Sequence, residues 1–169
     1  MTTSSPQVAV VTGANSGIGR ATALHLAQQG YRVFGTVRSI EKAGKLQSRA
    51  TELGITVELI EMDVADDASV QRGFADIFRT TDRVDVLVNN AGLETSTAFA
   101  VEDDREIRTV SRVNFEVPLM LTRHVLPGML ARKSGHIVFV SSLAGTAGFP
   151  GMSVYGGTKA GILNFVNGL

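Results

Sequence analysis

Hydrophobic residues follow two alternating patterns along this chain. Short runs rich in valine and isoleucine are typical of strands that are buried on both faces. These runs occupy residues 8–11, 32–37, 56–62, 84–88 and 136–140. Between them, apolar residues recur every three or four positions, which predicts helices that cover a sheet with one face. The pattern therefore predicts a regular succession of strands and helices along the chain.

The segments between the strands predict the helices. They span residues 17–29, 40–53, 69–78 and 103–132, and a further helix begins near residue 153. Gly30 and Gly54 end the first two, because glycine readily adopts the left-handed conformation that commonly closes a helix. Strand and helix alternate five times, which predicts an α/β fold with a Rossmann-type, doubly wound parallel sheet. No linker or repeat interrupts the pattern, so we expect residues 1–169 to form a single dinucleotide-binding and catalytic domain.

Composition and charge exclude several classes of protein. The 44% of hydrophobic residues and the mean hydropathy of +0.15 suit a packed α/β domain. The 16 basic and 16 acidic residues are mixed along the chain, so nothing indicates a nucleic-acid or membrane partner. Without cysteine there are no disulfides or thiol catalysis, and the three histidines show no metal-ligand spacing. The N-terminal MTTSSPQ lacks the basic and apolar regions of a signal peptide, so we expect a cytoplasmic protein.

A glycine-rich turn follows the first predicted strand and is a candidate phosphate site. In VVTGANSGIGR, Gly13, Gly17 and Gly19 stand between the strand and the first helix. A dinucleotide pyrophosphate needs free backbone N–H groups and the positive end of a helix dipole. Glycines allow the tight turn and the close approach of backbone to phosphate. The alternative is an ordinary strand-to-helix turn with incidental glycines.

Four motifs, in chain order, resemble those of the short-chain dehydrogenase/reductase family. They are Thr12-Gly-x-x-x-Gly17-Ile18-Gly19, Asn89-Asn90-Ala91-Gly92 after the fourth strand, Ser142 after the fifth, and Tyr155-x-x-x-Lys159. The resemblance implies a sheet of order 3-2-1-4-5 and a nicotinamide cofactor. Members of the family are longer, so we also expect a C-terminally truncated chain that lacks the family's last two strands and the substrate loop between them.

The resemblance places the cofactor along the carboxyl ends of the strands. It implies cofactor contacts from Gly13, Ser16, Gly17, Ile18, Gly19, Arg38, Asp63, Val64, Asn90, Ala91, Gly92, Tyr155 and Lys159. Asp63, just past the third strand, matches the family residue that contacts the adenine amino group. Its alternative role is to cap the segment that follows.

The end of the second strand bears on which nicotinamide cofactor binds. NAD-specific folds of this type place an acidic residue there to bind the ribose hydroxyls. Here Val37 and Arg38 occupy the place. A guanidinium would bind a 2′-phosphate through charge-assisted hydrogen bonds, whereas a carboxylate would repel it. The sequence predicts NADP(H) in preference to NAD(H), although Glu41 lies close by and a solvated surface arginine is the alternative.

Tyr155 and Lys159 are the candidate acid–base pair, because one helical turn places them on the same face. A free tyrosine has a pKa of about 10, and a nearby ammonium stabilises a phenolate. Tyr155 is therefore predicted to exchange a proton with a substrate oxygen; the alternative is an aromatic core residue beside an extended lysine. Gly156 and Gly157 each cost the helix about 1 kcal/mol relative to alanine. This cost predicts that cofactor and substrate approach closely beside the tyrosine, or that another helix packs there.

Two further catalytic positions come from the resemblance. It implies that Ser142 hydrogen-bonds the substrate oxygen, since the family's spacing to the tyrosine selects it over Ser141. It also implies that the backbone carbonyl of Asn114 holds a water of a proton relay to Lys159. Pro118 has no N–H to donate to that carbonyl, which favours this role. The alternative is that Pro118 only kinks or begins a helix.

These observations predict an NADP(H)-dependent oxidoreductase that interconverts a secondary alcohol and a ketone, with Asn114, Ser142, Tyr155 and Lys159 as its catalytic residues. The alternative is a fragment or relative that binds the nucleotide without turnover. We expect no metal. We also expect a homo-oligomer that assembles through the helical region 103–132 and the helix that starts near Tyr155.

Overall fold

A computed structural model describes residues 5–169. The prediction about a signal peptide falls in part on residues 1–4, which lie outside the described residues. The strands are β1 Val8–Val11, β2 Arg32–Val37, β3 Glu58–Glu61, β4 Val86–Asn89 and β5 His136–Phe139. The helices are α1 Gly17–Gln28, α2 Gly44–Glu52, α3 Asp67–Phe78, α4 Asp104–Ser111, α5 Val117–Arg132 and α6 Ser153–Gly168.

The five strands form one parallel sheet of order β3-β2-β1-β4-β5. This arrangement confirms the predicted doubly wound fold and its strand order. At the centre, Val10 of β1 pairs with Phe34 of β2 on one side and with Leu87 of β4 on the other. The chain reverses its direction of winding between β1 and β4, and ligands of such sheets bind in the crevice at the carboxyl ends of the strands there.

Helices cover both faces of the sheet, which explains why the central strand β1 is apolar at every position. On one face, Phe34 and Leu87 lie in a core cluster with Phe74 of α3 and Leu121 of α5. On the other face, Val11 and Val33 lie in a second cluster with Leu24 of α1 and Leu46 of α2. All four residues of β1 are consequently buried. The two cores hold the carboxyl ends of the strands in fixed relative positions.

The helical stretch predicted over 103–132 is confirmed in its extent as α4 and α5, but its α-helical hydrogen bonding is interrupted between them. Between α4 and α5 lies a π-helical segment, Arg112–Glu116, in which the N–H of Val117 donates to the carbonyl of Arg112. Pro118 follows in the first turn of α5, and its missing N–H removes one bond of the regular helix. The predicted helix 40–53 is likewise interrupted, since a 3₁₀ turn, Ile40–Lys42, precedes α2. None of the helices within residues 5–169 is long and apolar enough to span a bilayer.

At the amino end of the sheet, a buried carboxylate ties β1 to β4. Asp85 accepts a hydrogen bond of 2.8 Å from the N–H of Val8 and one of 3.0 Å from Nε of Arg83. Arg132, the last residue of α5, lies 3.9 Å from the same carboxylate. Burial alone raises the pKa of Asp85. The hydrogen bonds from Arg83 and Val8 and the charges of the two arginines outweigh it and hold that pKa below its ordinary value.

Candidate active site

The glycine-rich turn between β1 and α1 has the backbone geometry of a phosphate site. Gly13 and Gly17 have φ values of +67° and +52°, a region that favours glycine. Gly19 lies in the first turn of α1, where a Cβ would stand 2.4 Å from both Nδ2 of Asn90 and the carbonyl oxygen of Gly13. The absence of a side chain at 19 therefore lets α1 begin directly against the loop after β4. The turn and the helix N-terminus fit a bound pyrophosphate.

A buried threonine locks the loops after β1 and β4 together. Oγ1 of Thr12 accepts hydrogen bonds from the backbone N–H groups of Asn90 and Ala91, each at 3.0 Å. The same hydroxyl lies 3.3 Å from the carbonyl of Val88, to which it donates. In return, Nδ2 of Asn90 donates to the carbonyl of Thr12 at 2.8 Å. Thr12 belongs to the first motif but was not predicted as a site residue. Its hydrogen bonds hold the loops after β1 and β4 in fixed positions relative to each other.

A cleft of about 640 Å³ crosses these loops at the carboxyl end of the sheet. The predicted residues that line it are Gly13, Ser16, Gly17, Ile18, Arg38, Asp63, Val64, Asn90, Ala91, Gly92, Tyr155 and Lys159. The strand β3 lies at one edge of the sheet, and α6 follows β5 at the other edge. Arg38 and Asp63 therefore lie at one end of the cleft. Tyr155 and Lys159 lie at the other end. Gly19 is buried behind the turn and does not line the cleft.

Several lining residues were not predicted. They include Thr36, Met62, Leu93, Glu94, Thr109 and Val113. Strand alternation could have identified Thr36, because it lies two positions before Arg38 and so shares its face. Helix spacing likewise relates Thr109 to Val113. Among residues 5–169, no group of three or more histidine, aspartate or glutamate side chains could hold a metal ion.

At the β2–β3 end, the cleft carries one exposed arginine. Val37 is buried and Arg38 exposed, so no acid occupies the end of β2. The ion pairs found within residues 5–169 do not involve Arg38 or Glu41. The guanidinium of Arg38 is therefore available to a ligand phosphate.

Asp63 combines its position in the cleft with a local structural role. Its carboxylate accepts from the N–H of Ala65 at 2.9 Å, and its own N–H donates to Oγ of Ser69 at 2.9 Å. Asp66, not Asp63, caps α3. Arg112 of the π-helical segment donates to the carbonyl of Ala65 at 3.0 Å and so holds this loop in place.

At the other end, α6 presents Tyr155 and a buried lysine. Nζ of Lys159 donates to the carbonyl of Val140 at 2.8 Å and lies 5.7 Å from the centre of the Tyr155 ring. Lys159 is only 6% exposed, and burial lowers its pKa. No carboxylate in the described part of the chain forms an ion pair with it. The ammonium therefore keeps donor capacity for hydroxyl groups that enter the cleft.

The two serines after β5 make different contacts. Oγ of Ser142 accepts from the N–H of Ala144 at 3.2 Å and so begins the 3₁₀ turn Leu143–Gly145. Oγ of Ser141 donates to the carbonyl of Lys159 at 3.4 Å, and it is Ser141 that lines the cleft. The predicted role of Ser142 toward a substrate oxygen stays a prediction.

Asn114 does not line the cleft, but its side chain connects three segments that border it. Its side chain is 1% exposed, and Oδ1 accepts from the N–H of Leu93 at 2.8 Å. Nδ2 donates to the carbonyl of Leu93 at 2.7 Å and to Oγ1 of Thr158 at 3.4 Å. The π-helical segment, the loop after β4 and α6 are thus connected through one amide. The proton relay through its backbone carbonyl stays a prediction.

Glycines allow the turn after Ser142 to rest directly on α6. A Cβ at Gly156 would lie 2.7 Å from the carbonyl oxygen of Ala144, and one at Gly145 would lie 2.8 Å from the carbonyl carbon of Lys159. A Cβ at Gly157 would meet nothing within 4 Å. The predicted close approach beside the tyrosine is therefore found at Gly156 but not at Gly157, and the 3₁₀ turn Leu143–Gly145 makes it rather than another α-helix.

Comparisons with known proteins agree with this geometry. The family model described as short chain dehydrogenase matches residues 7–169. An uncharacterized short-chain type dehydrogenase/reductase of Sinorhizobium fredii is 41% identical over 96% of this chain and 62% of its own length. An NADP-dependent 3-hydroxy acid dehydrogenase of Shigella flexneri is 36% identical over 94% of this chain and 63% of its own length. The chain thus spans less than two thirds of the length of these curated relatives.

Solved structures give the same result. A crystal structure of a short-chain dehydrogenase from Streptomyces avermitilis has a TM-score of 0.89 and 38% identity, covering 98% of this chain and 60% of that one. A metagenomic short-chain oxidoreductase in complex with NADP has a TM-score of 0.90 and 33% identity, covering 96% of this chain and 74% of that one.

Proposed function

The chain belongs to the short-chain dehydrogenase/reductase family, and on that premise we propose that it is an NADP(H)-dependent oxidoreductase that interconverts a secondary alcohol and a ketone. A single domain carries both the cofactor-binding and the catalytic residues. The observation that carries the proposal is that Tyr155 and Lys159 line the same cleft as the glycine-rich turn. The candidate acid–base pair and the candidate phosphate site therefore lie in the same cleft.

The residues of the cleft fit a dinucleotide. Gly13 and Gly17 take backbone conformations that favour glycine, and Gly19 leaves room for α1 to meet the loop after β4. These residues would hold the pyrophosphate at the N-terminus of α1. Asp63 and Val64 would contact the adenine, and Asn90, Ala91 and Gly92 would flank the middle of the cofactor. When bound, the nicotinamide would supply a hydride to a ketone or accept one from an alcohol.

Arg38 supports a preference for NADP(H). A 2′-phosphate beside the end of β2 would meet an exposed guanidinium and no carboxylate from β2. The relative from Shigella flexneri is named an NADP-dependent enzyme, and one structural neighbour contains NADP. The same end of a NAD-specific site would carry an acid for the ribose hydroxyls.

Tyr155 is the proposed proton donor and acceptor. During reduction its phenol donates a proton to the carbonyl oxygen, and during oxidation its phenolate removes the proton from the alcohol. The ammonium of Lys159 stabilises the phenolate and is itself kept in place by the carbonyl of Val140. Ser142 hydrogen-bonds the substrate oxygen, and the carbonyl of Asn114 holds a water that returns protons to Lys159.

The test is steady-state oxidation of NADPH with a panel of neutral ketones. We expect turnover that Tyr155→Phe reduces at least ~100-fold, since general acid–base catalysis contributes about 10²–10⁴-fold, while NADPH affinity stays nearly intact. Tyr31→Phe is the matched control, because Tyr31 is the chain's other tyrosine and lies outside the cleft. NADPH binding without turnover for any ketone would instead favour a nucleotide-binding protein.

Two proposals concern the protein's surroundings. We propose a homo-oligomer that assembles through the helical region 103–132 and α6. Met120 and Leu130 on α5 and Val166 on α6 are exposed apolar residues that support such an interface. Sedimentation analysis tests it, and a monomer at micromolar concentration would contradict it.

A cytoplasmic location stays a prediction from the sequence, to be checked by cell fractionation.

A further inference from the structure

Glu94 is a charged residue of the cleft that the proposed chemistry does not use. It lies in the loop after β4, is exposed, and lines the same cleft as Tyr155 and Lys159. Within residues 5–169, no cation lies within 4 Å of its carboxylate. An exposed carboxylate without a cationic partner leaves its charge available to whatever occupies the cleft.

Hydrogen bonds hold the residues on both sides of Glu94. Before it, the N–H and carbonyl of Leu93 are both hydrogen-bonded by the side chain of Asn114, at 2.8 and 2.7 Å. After it, Thr95 is 8% exposed and its hydroxyl donates to the carboxylate of Glu102 at 3.2 Å. These hydrogen bonds keep the loop, and with it the charge of Glu94, in place at the cleft.

The same loop crosses the catalytic end of the cleft. At its start, a Cβ on Gly92 would lie 3.6 Å from Nζ of Lys159. Further along, the N–H of Thr97 donates to the carbonyl of Gly151 at 2.8 Å, in the segment that leads into α6. Glu94 lies between these two points. Because Glu94 and Tyr155 line the same cleft, a substrate whose carbonyl reaches Tyr155 lies in the space that this loop borders.

The other charges of the cleft do not neutralise Glu94. Arg38 and Asp63 belong to the β2–β3 end, on the far side of the sheet from α6. Lys159 is buried, and its ammonium is hydrogen-bonded to the carbonyl of Val140. Glu102 adds a second negative charge on the same loop rather than a positive one. A substrate at the catalytic end thus meets an exposed negative charge.

We propose that Glu94 is a specificity-determining residue that favours substrates with a cationic or strongly hydrogen-bond-donating group near the ketone, and disfavours those with a carboxylate there. The inference rests on the proposed function, because it assumes that the ketone lies beside Tyr155. Opposite charges in a partly enclosed cleft attract more strongly than in water, and an unpaired like charge rejects the wrong ligand.

The test compares ketones that differ in charge. The probes are (2-oxopropyl)trimethylammonium, 4-oxopentanoate and neutral 2-pentanone, each titrated calorimetrically into protein saturated with NADP⁺, where no hydride is available to react. Glu94→Gln is expected to lower the ratio of the Kd of the anion to that of the cation at least ~10-fold, and Glu94→Lys to lower it further. Binding of 2-pentanone should change less than about twofold, because a neutral ligand gains little from the charge.

Glu106→Gln is the matched control, because it removes the same charge from an exposed residue of α4 outside the cleft. Raising the salt concentration should also reduce the wild-type ratio, which a steric role would not do. Three results would overturn the inference. The ratio could be unchanged by Glu94→Gln, it could change equally with Glu106→Gln, or no ketone could bind. Glu94-dependent binding without NADPH oxidation would contradict only the proposed turnover, whereas turnover with an unchanged ratio would contradict only the role of Glu94.

Discussion

Replacing Gly156 by alanine tests how α6 is held against the turn that follows β5. The new Cβ would lie 2.7 Å from the carbonyl oxygen of Ala144, and this atom belongs to the backbone and cannot rotate away. Overpacking of this kind costs about 1–3 kcal/mol, while alanine in a helix gains about 1 kcal/mol over glycine. The free energy of unfolding should therefore fall by about 0–2 kcal/mol.

Gly157→Ala is the matched control, since the next residue of the same helix has nothing within 4 Å of its Cβ. Here only the helix propensity acts, and the free energy of unfolding should rise by about 1 kcal/mol. The two variants are thus expected to differ by about 1–3 kcal/mol in urea unfolding. Because Tyr155 and Ser142 flank the contact, Gly156→Ala should also reduce turnover about tenfold or more, while Gly157→Ala retains it.

Equal stability of the two variants would contradict the close contact between Ala144 and α6. A greater stability of Gly156→Ala would contradict it more strongly. A destabilised Gly156→Ala protein with full turnover would keep the contact but refute its role in positioning Tyr155 relative to Ser142.

Arg38→Ala should reduce the preference for NADPH over NADH at least tenfold in binding titrations, because a charge-assisted contact contributes about 1.5–3 kcal/mol; an unchanged preference would make Arg38 a surface residue. Burial lowers the pKa of Lys159, so the free energy of unfolding should rise as the pH increases from that lowered pKa toward 10.5. Lys159→Met should abolish this rise, and an equal rise in both proteins would contradict the burial of the charge. Asp85→Asn should cost about 1.5–3 kcal/mol at neutral pH, through lost bonds to Arg83. Because the pKa of Asp85 is lowered, this difference should disappear as the pH falls through that pKa; a difference that persists in acid would contradict it.

The sequence predicted the strands best where they are buried on both faces. The bounds of β1 and β2 agree with the runs 8–11 and 32–37, because these strands are apolar and end at polar or glycine-containing turns. The run 56–62 was too long, since β3 lies at the sheet edge and carries the half-buried Glu58 and the exposed Glu61 among its apolar residues. The order of the strands came from the resemblance, because pairing between segments as distant as Thr12 and Val88 leaves no local signal.

The site was predictable where a motif adjoins a strand end, and less so where it depends on distant contacts. The glycine-rich turn and the loop after β4 line the cleft as the motifs indicated. The side-chain bonds of Asn114 join residues 21 and 44 positions away, so no local pattern foretells them. Pro118 was equally consistent with a kink or a helix start, and the π-helical segment that precedes it left no distinct signature in the sequence.

Transfer of a labelled hydride from NADPH to a ketone would demonstrate the proposed oxidoreductase activity itself. The protein is incubated with NADPH that carries deuterium at the transferable C4 position and with neutral ketones, and the alcohols are analysed by mass spectrometry. We expect one deuterium on the carbinol carbon of a product, and at least ~100-fold less labelled alcohol with Tyr155→Phe over the same time. Saturable binding of NADPH with no deuterium in any alcohol from the wild-type protein would contradict it.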